Sequence, residues 1–362
     1  MKKKVLTITF QRSLNFGASL QAFALVQYLN KNGYQAAAID YLPKYFAWEI
    51  YRPAKGIRKT LDKISKLRKF TLFFNKHIPH THTVFTSRSL KKFKNIDAFI
   101  CGSDQIWNPL LTGKKHDPAF FLDFPTSDSL KIAYAASSGS VQLNSLPPKI
   151  NDSLLKFNHI GVREERLAAE LKASLPNKEI TTVADPSLLL DEEDYLPLIK
   201  PNISPERKYA LSYVVGSGEM LEKFSSRVKE LKEVLVSTPV VHAGAKTIKH
   251  ADHQLLDIGP TEWLSLLHGA SYIITNSFHG VAFAIKFKKN FTFIPHTITN
   301  LNNRQLTLLT AAGLTHRTLD DSESLTPDST SDIDYELHEN SINDYIQKSR
   351  DFLHSSIDLS AC

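Results

Sequence analysis

The sequence predicts an α/β protein built on two doubly wound parallel sheets, and three observations lead to that prediction. Short apolar runs alternate with stretches of helical periodicity through most of the chain. The alternation stops at 191–207, where three prolines follow a cluster of acids, and then restarts. The 362 residues suffice for two cores. We therefore expect domains at 1–195 and 206–320, and an acidic linker with a terminal helix at 321–362.

Each element of the first domain follows from its local pattern. Buried strands are predicted from the short apolar runs Val5–Phe10, Ala36–Tyr41, Ile96–Cys101, Ile132–Ala136, Ile160–Val162 and Ile180–Val183. Helices are predicted from the 3.6-residue periodicity of Ala18–Asn30 and Glu164–Ala173.

The second half repeats this arrangement. Strands are predicted at Tyr209–Val215, Val240–His242, Tyr272–Thr275 and Phe291–Ile294. Helices are predicted at Glu219–Val234, Glu262–His268, Gly280–Lys286 and Arg304–Ala312, with a last one at Tyr335–Leu353. Asp320–Asp334 is acidic and rich in Ser and Thr, which predicts a linker or exposed loop. Two Rossmann-like domains with a terminal helix resemble the two-domain layout of one large glycosyltransferase class, GT-B.

The composition and the N-terminal residues exclude several classes of protein. Apolar residues make up 42% and charged residues 22%, which excludes a disordered or fibrous chain. Cys101 and Cys362 are too few for a disulfide-rich secreted fold. The apolar run after the N-terminal lysines is too short for a signal peptide, and no run reaches the ~20 apolar residues of a membrane helix. We expect a soluble, cytoplasmic protein.

The charge is concentrated in one segment. The chain carries +7 overall, but Arg52–Lys94 holds 13 basic residues against one acid, Asp62, which leaves about −5 for the rest. This segment lies in an insert at 44–94. A single basic insert in an otherwise acidic protein indicates a local anionic partner. Aromatic residues that would stack on bases are sparse there, so we do not expect nucleic acid.

The insert also has the periodicity of an amphipathic helix. Ile57, Leu61, Ile64, Leu67 and Phe70 recur every three or four residues, with basic residues between them. We expect a helix that packs this apolar face on the core and solvates its basic face. A second interpretation stays open, in which the insert is a flap that contacts an anionic membrane surface or an anionic acceptor, at the inner face of the membrane.

Two sequence patterns that could indicate a cofactor or metal site are incomplete. Gly216-Ser217-Gly218 begins a dinucleotide fingerprint, but Leu221 stands where its third glycine belongs. His77, His80 and His82 suffice by number for a metal but have no carboxylate beside them. We therefore expect no metal site and no cofactor.

Polar residues follow the predicted strands directly, where open parallel sheets bind their ligands. The segments concerned are Asn15–Gln21, Gly102–Pro109, Ala136–Ser140, Gly161–Glu165 and Asn276–Gly280. Such siting favours an enzyme.

Five of the motifs resemble those of the polysaccharide pyruvyl transferase family. They are Asn-Phe-Gly-Ala-Ser-Leu-Gln-Ala-Phe-Ala-Leu (15–25), Ile-Cys-Gly-Ser-Asp-Gln-Ile-Trp-Asn (100–108), Val-Arg-Glu (162–164), Ala-Asp-Pro-Ser-Leu-Leu-Leu (184–190) and Ser-Phe-His-Gly (277–280). The resemblance runs in order from the first strand to about Gly313 and leaves out the insert and the tail.

This resemblance implies transfer of an enolpyruvyl unit from phosphoenolpyruvate to two hydroxyls of one sugar, which forms a pyruvate ketal and releases phosphate. The acceptors of the family are sugars of surface polysaccharides, often still joined to a lipid or nucleotide carrier, so a carrier-linked hexose is expected here. Phosphoenolpyruvate carries about three negative charges and needs Arg, Lys or His around it. Protonation of its C3 and attack by a hydroxyl require a general acid and a general base near neutral pH, for which histidine is suited.

The donor site is expected around the Ser-Phe-His-Gly motif. His279 stands at a strand-to-helix junction, where free N–H groups favour an anion. We expect it to act as general acid/base or phosphate ligand, the alternative being a histidine that only caps the helix. Ser277 and Gly280 are expected to bind the donor beside it. Many family members have Arg where this chain has Ser277, so either Arg163, Arg304 or His242 supplies that positive charge or the donor binds differently.

Two arginines are candidates for that charge. Arg163 follows a buried strand and is expected to clamp the donor carboxylate or phosphate in the catalytic site, or else to pair with Glu164 or Glu165 at the surface. Arg304 is a second candidate clamp.

The acceptor site is expected mainly in the first domain. Asp104 either accepts a proton from an acceptor hydroxyl, or holds the sugar, or only caps its own turn. The remaining candidates for acceptor binding are Asn15, Gly17 and Gln21 in the first strand–helix turn, and His242 and Gly244 at the end of a strand of the second domain.

Two other functions remain as alternatives. A nucleotide-sugar-dependent glycosyltransferase of the GT-B type would bind nucleotide sugars in the second domain and ignore phosphoenolpyruvate. A catalytically silent carbohydrate- or membrane-binding protein would depend on basic residues of the insert, such as Lys63, Lys66 and Lys69, and show no turnover.

Overall fold

The chain forms two compact units in a computed structural model that describes residues 2–113, 116–124, 129–142 and 149–358. Unit 1 comprises Met1–Leu190 and Asp344–Cys362, and unit 2 comprises Asp191–Asn343. The break after Leu190 comes a few residues before the expected boundary. The terminal helix, expected with the acidic linker as a segment apart, belongs from Asp344 onward to unit 1.

Unit 1 is built on a parallel sheet of six strands in the order β2–β1–β3–β4–β5–β6. The strands are β1 (Lys4–Ile8), β2 (Gln35–Ala38), β3 (Ala98–Cys101), β4 (Leu130–Ala136), β5 (His159–Val162) and β6 (Ile180–Thr182). The helices that follow in chain order are α1 (Phe16–Lys31), α2 (Lys44–Tyr51), α3 (Ile57–His77), α4 (Lys149–Leu155) and α5 (Glu165–Ser174). The strand order reverses between β1 and β3, and such a switch point leaves a crevice at the strand ends.

Unit 2 repeats the arrangement with five parallel strands in the order β11–β10–β7–β8–β9. The strands are β7 (Ala210–Tyr213), β8 (Val240–Ala243), β9 (His253–Leu255), β10 (Tyr272–Thr275) and β11 (Asn290–Phe293). The helices are α6 (Glu192–Tyr195), α7 (Glu219–Val234), α8 (Pro260–Gly269), α9 (Phe278–Lys286) and α10 (Asn303–Ala311). Here the order reverses between β7 and β10.

The predicted fold class is confirmed, because both sheets are parallel and helices connect most of their strands. All ten predicted strands are present, with ends shifted by no more than three residues. The strand β9 was not predicted, since its three residues are half-buried and carry no apolar run.

The last helix, α11 (Tyr335–Asp358), closes unit 1 with its second half. Ser349 Oγ accepts a hydrogen bond from Ala184 N at 2.8 Å, and the Arg350 guanidinium donates to the Leu189 carbonyl. The ring of Phe352 packs so closely on β5 that a Cβ on Gly161 would lie 2.7 Å from it. These contacts make the C-terminal helix part of the first core.

The acidic segment Asp320–Asp334 is a mostly exposed loop, one of the two forms predicted for it, and it belongs to unit 2, to which a few contacts anchor it. Arg227, on α7, donates hydrogen bonds to the carbonyls of Asp320 and Glu323 at 3.1 and 2.6 Å, and Leu325 is buried.

The insert is helical as expected, but its apolar residues do not all face the core. Phe70 stacks on Phe16 of α1 at 5.5 Å between ring centroids and is buried. Ile57, Leu61 and Ile64 are exposed by 83%, 60% and 56%. Thirteen residues at ~100° each place Ile57 roughly 140° around the helix from Phe70, so one face cannot bury both. The expectation of a single core-packed face is therefore wrong for the first three turns of α3.

Candidate active site

Residues that were expected to form the site lie at the switch points of both sheets. In unit 1, Asn15 follows β1 and Asp104 follows β3, the two strands between which the order reverses. In unit 2, the Ser277–Gly280 motif follows β10, one of the two strands at the reversal. The candidate residues therefore fall into two groups, one at the carboxyl edge of each sheet.

A buried ion pair lies behind the carboxyl edge of the first sheet. Arg163 is 1% exposed, and its Nη1 donates to Asp185 Oδ2 at 2.8 Å and to Ser103 Oγ at 3.1 Å. Ser103 Oγ in turn donates to Asp185 Oδ2 at 2.6 Å. Because β5 and β6 are neighbours, the residues that follow them meet directly. The ion pair expected with Glu164 or Glu165 at the surface is thus found with Asp185 in the interior.

Charges around this pair keep the guanidinium ionised. Burial lowers the pKa of Arg163, but the nearby carboxylates of Asp185, Glu164 and Asp104 raise it by more, so its pKa lies above the ordinary value. Glu164 is itself buried and accepts a hydrogen bond from Ser137 Oγ. Burial of this kind favours a supporting role for Arg163 over direct contact with a donor.

Asp104 connects this network to a cavity. Its Oδ1 lies 4.0 Å from Arg163 Nη2 and accepts a hydrogen bond from Gln105 N at 2.8 Å. Its backbone has a φ of +80°, a conformation that a non-glycine residue adopts at a cost of ~1–3 kcal/mol and that is frequent at functional sites. Asp104 lines a cavity of about 500 Å³ together with Asn15, Phe10, Glu49 and others. The structure therefore brings two predicted acceptor-binding residues, Asp104 and Asn15, together in one cavity.

The other candidates in the first turn lie deeper. Gln21 is buried and donates to Thr9 Oγ1 and to the Ala18 carbonyl, both at 3.0 Å, which ties α1 to the end of β1. Asn15 accepts from Ala18 N and so caps α1. Gly17 is buried within the first turn of α1. Asn15, in contrast, is exposed and remains available at the cavity.

In unit 2 the Ser-Phe-His-Gly motif forms a tight strand-to-helix turn. Ser277 is the N-cap of α9, and its Oγ accepts from Gly280 N at 3.4 Å. Thr275 Oγ1 accepts from Ser277 N at 3.0 Å and donates to the Tyr213 carbonyl at 2.7 Å. A Cβ on Gly280 would lie 2.5 Å from Thr275 Oγ1, so only glycine fits there. His279 lies in the first turn of α9, where helix N–H groups favour an anion.

The loops on both sides of this turn are tied together. The Asn276 side chain accepts from Val215 N and donates to the Val215 carbonyl, each at 2.8 Å, which joins the ends of β7 and β10. Gln305 Nε2 donates to the Asn276 carbonyl at 2.8 Å. Arg304 precedes Gln305 on α10 and is half-buried, and its contact with the donor stays a prediction.

His242 and Gly244 lie at the end of β8. His242 is buried, its Nδ1 is 3.3 Å from Ser212 Oγ and its Nε2 is 2.9 Å from the Lys246 carbonyl. Burial lowers its pKa, so the ring is neutral near pH 7. A Cβ on Gly244 would lie 2.6 Å from His242 Nε2. Both ring nitrogens are thus engaged within the turn, and the predicted contact with the acceptor carrier stays a prediction.

Within the described parts of the chain, no group of three or more His, Cys, Asp or Glu side chains is arranged to hold a metal ion. None of the helices in those parts combines the length and apolarity needed to cross a bilayer.

Comparison with known families decides the chain's family. The model of the polysaccharide pyruvyl transferase family matches residues 15–297, most of the chain. The chain belongs to the polysaccharide pyruvyl transferase family. No curated protein shows a significant match to this sequence.

Solved structures resemble this pyruvyl transferase family member in fold. Staphylococcus aureus MnaA, solved with UDP, is 13% identical, with 96% of this chain and 90% of that chain covered and a TM-score of 0.51. A Listeria monocytogenes putative UDP-N-acetylglucosamine 2-epimerase is 12% identical over 100% and 92% of the two chains, with a TM-score of 0.49. Escherichia coli ADP-heptose heptosyltransferase II is 10% identical over 96% and 99%, with a TM-score of 0.37. The fold is the GT-B-like one that the sequence predicts.

The family match covers most of the predicted site residues but not all. Asn15, Asp104, Arg163 and His279 lie inside the matched range, whereas Arg304 lies beyond its end. Asp185 was missed as a site residue. A signal for it was present, because its motif follows the strand after the Val-Arg-Glu strand, and consecutive strands of a parallel sheet are often neighbours.

Proposed function

We propose that this protein transfers a pyruvyl group from phosphoenolpyruvate to two hydroxyls of a carrier-linked hexose, forming a ketal and releasing phosphate during polysaccharide biosynthesis. The observation that carries the proposal is the family match over residues 15–297, which includes all five motifs. The positions of His279 and Asp104 at the switch points of their sheets support it.

The donor is assigned to unit 2. The first turn of α9 offers N–H groups and the helix dipole to a phosphate or carboxylate. In this proposal Ser277 and Gly280 contact the donor within that turn, where Gly280 itself packs directly on Thr275. In this proposal Arg304 supplies the positive charge that many family members carry in place of Ser277, and the bond of its neighbour Gln305 to the Asn276 carbonyl supports this.

The acceptor is assigned to the cavity of unit 1. Asn15 offers an amide to sugar hydroxyls, and Asp104 offers a carboxylate that can take a hydroxyl proton. Arg163 is a positioning residue in this proposal, because it stabilises the carboxylates behind the cavity rather than lining it.

The reaction needs one acid and one base. A proton is delivered to C3 of the enolpyruvyl group while a first sugar hydroxyl, losing its proton to a base, bonds to C2. The C2–O bond to phosphate then breaks, and the second hydroxyl closes the ketal at C2 as its proton leaves with the base or the phosphate. His279 is suited to the acid step and Asp104 to the base step. No metal or other cofactor enters these steps.

The test is calorimetric binding of phosphoenolpyruvate followed by phosphate release with lipid- and nucleotide-linked hexoses. We expect saturable binding, and a loss of turnover of ~10²–10⁴-fold in His279→Ala. His268→Ala is the matched control, since His268 precedes β10 and lies at the opposite edge of the same sheet. No binding, with hexose acceptors also present to allow an ordered mechanism, would reject pyruvyl transfer.

A second candidate is nucleotide-sugar-dependent glycosyl transfer. The observation in its favour is the fold shared with S. aureus MnaA, which was solved with UDP. It predicts binding of nucleotide sugars and indifference to phosphoenolpyruvate, so the same titrations separate the two functions.

A further inference from the structure

An apolar stripe lies open along helix α3. Ile57, Leu61, Ile64 and Leu72 are exposed by 83%, 60%, 56% and 57%. At ~100° per residue they fall within an arc of roughly 80°, so they share one side of the helix. We call these four residues the insert face. Four large aliphatic side chains on one exposed helix side indicate a surface that something covers.

The insert face is distinct from the side by which α3 is attached to unit 1. That side carries Phe70, Phe73 and Phe74, which are buried. Phe70 and Phe73 pack on Phe16 and Phe23 of α1, with ring centroids 5.5 and 6.0 Å apart. The core therefore accounts for one side of α3 and leaves the insert face without a role in folding.

The charges around the insert face identify its partner. Helix α3 carries seven Lys and Arg residues and one acid, Asp62, and three of the basic residues, Arg58, Arg68 and Lys76, lie within about 80° of the middle of the insert face. Arg58 and Arg68 are exposed, Arg68 within the stripe and Arg58 at its border. Exposed aliphatic residues flanked by basic ones are typical of a helix that lies in the interface of an anionic bilayer.

Two other occupants fit these charges less well. A second copy would oppose the same basic helix to itself across a two-fold axis, which like charges disfavour. A nucleic acid would find aliphatic side chains where stacking needs aromatic ones. We propose that the insert face docks on a membrane surface rich in anionic lipid.

The membrane docking does not depend on the proposed function, but it affects how a lipid-linked acceptor would reach the cavity. Lys63 faces away from the insert face and lines the cavity that holds Asn15 and Asp104. The same helix thus separates the docking surface from the cavity. If the acceptor is lipid-linked, it would reach the cavity around a single helix, a distance of about 10 Å.

The experiment is co-sedimentation of the full chain with phosphatidylcholine vesicles that contain 0 or 30% phosphatidylglycerol. We expect binding to the anionic vesicles and little to the neutral ones. Leu61→Ser/Ile64→Ser is expected to weaken the partition at least tenfold without changing net charge. Arg58→Glu/Arg68→Glu is expected to weaken it more than tenfold, since each basic residue near such a surface contributes about fivefold.

Matched variants distinguish docking through the insert face from general electrostatic attraction to the vesicles. Arg207→Glu/Lys208→Glu makes the same charge change on exposed residues of unit 2 and should leave binding within about twofold. All altered residues are exposed, so thermal unfolding should stay unchanged and confirm folding. The proposal is overturned if the wild type does not sediment with anionic vesicles, or if the control variant loses as much binding. It is also overturned if Leu61→Ser/Ile64→Ser only converts a dimer to a monomer in light scattering. None of these readouts involves phosphoenolpyruvate or turnover.

Discussion

Arg163 and Asp185 form a buried ion pair, with Nη1 and Oδ2 2.8 Å apart, that joins two motifs of the family. The Val-Arg-Glu motif ends β5 and the Ala-Asp-Pro-Ser motif follows β6. Asp185 Oδ1 also accepts from Ser187 N and Ser187 Oγ, at 2.9 and 2.7 Å, so the carboxylate is held from several sides. The pair is a structural support for the loop that carries Asp104.

Arg163→Met should therefore act on stability first. It leaves the Asp185 carboxylate buried without its cation, and we expect the free energy of unfolding to fall by ~3–5 kcal/mol. Arg163→Met/Asp185→Leu should regain most of that loss. Denaturant unfolding of both variants measures it. Wild-type stability in Arg163→Met, combined with lost affinity for phosphoenolpyruvate, would instead assign the arginine to the donor.

Arg304→Ala should weaken donor binding with little effect on folding. A charge-assisted hydrogen bond contributes ~1.5–3 kcal/mol, so the Kd for phosphoenolpyruvate should rise about 10- to 100-fold. Arg304→Lys should keep part of the affinity because it keeps the charge. Arg207→Ala, an exposed arginine of the same unit, provides the baseline in calorimetry. An unchanged Kd in Arg304→Ala would remove this residue from the donor site.

Gly280→Ala should disturb catalysis through backbone position. The new Cβ would lie 2.5 Å from Thr275 Oγ1 and 2.9 Å from its Cγ2, so α9 must shift and carry His279 with it. We expect a loss of ~1–3 kcal/mol in stability and a larger relative loss in kcat. Ala284→Gly on the same helix should cost ~1 kcal/mol and leave kcat unchanged. Equal kcat in the two variants would contradict the positioning of His279 by this junction.

His242 should make the fold sensitive to acid. Its pKa is lowered in the folded state by burial, whereas the unfolded chain titrates near 6.5. The unfolded state therefore binds the proton more readily, and the stability present above about pH 6.5 is lost as pH falls towards the folded pKa. His242→Gln should show a shallower decline between pH 7 and 5 in denaturant unfolding. An identical slope in both proteins would mean that His242 does not contribute.

Chelation should not affect turnover. The proposed steps use Arg304 and His279 to neutralise the donor, and they require no divalent ion. Phosphate release should be the same after dialysis against a chelator as before it. A loss of activity that added Mg²⁺ or Mn²⁺ restores would show that a metal takes part.

Much of the fold was predictable because parallel sheets leave a strong local signal. Strands buried on both faces, such as Ile132–Ala136, stand out as apolar runs, and the helices between them keep their 3.6-residue period. The boundary near Leu190 was equally visible, because prolines interrupt both patterns. Strand β9 had no such signal, since its three residues are half-buried and only one of them, Leu255, is aliphatic.

The sequence could not predict which side of α3 faces the core or which residue pairs with Arg163, because both depend on tertiary contacts. Ile57 and Phe70 both fit an apolar spacing of three to four residues, yet only the packing on Phe16 selects which side is buried. The partner of Arg163 required knowing that β5 and β6 are adjacent. The positive φ of Asp104 likewise has no signature in its neighbouring residues.

The return of α11 to unit 1 has a consequence for the order in which the protein folds. Its residues fill space beside Gly161, bind the Leu189 carbonyl and, through Asp358, accept a bond from Tyr34 at 2.8 Å. Unit 2 is thus synthesised between the two parts of unit 1. During translation, the earlier part of unit 1 stays incomplete until α11 has been synthesised, and by then unit 2 already has all its strands. The unit that begins first on the ribosome is therefore the one that finishes last.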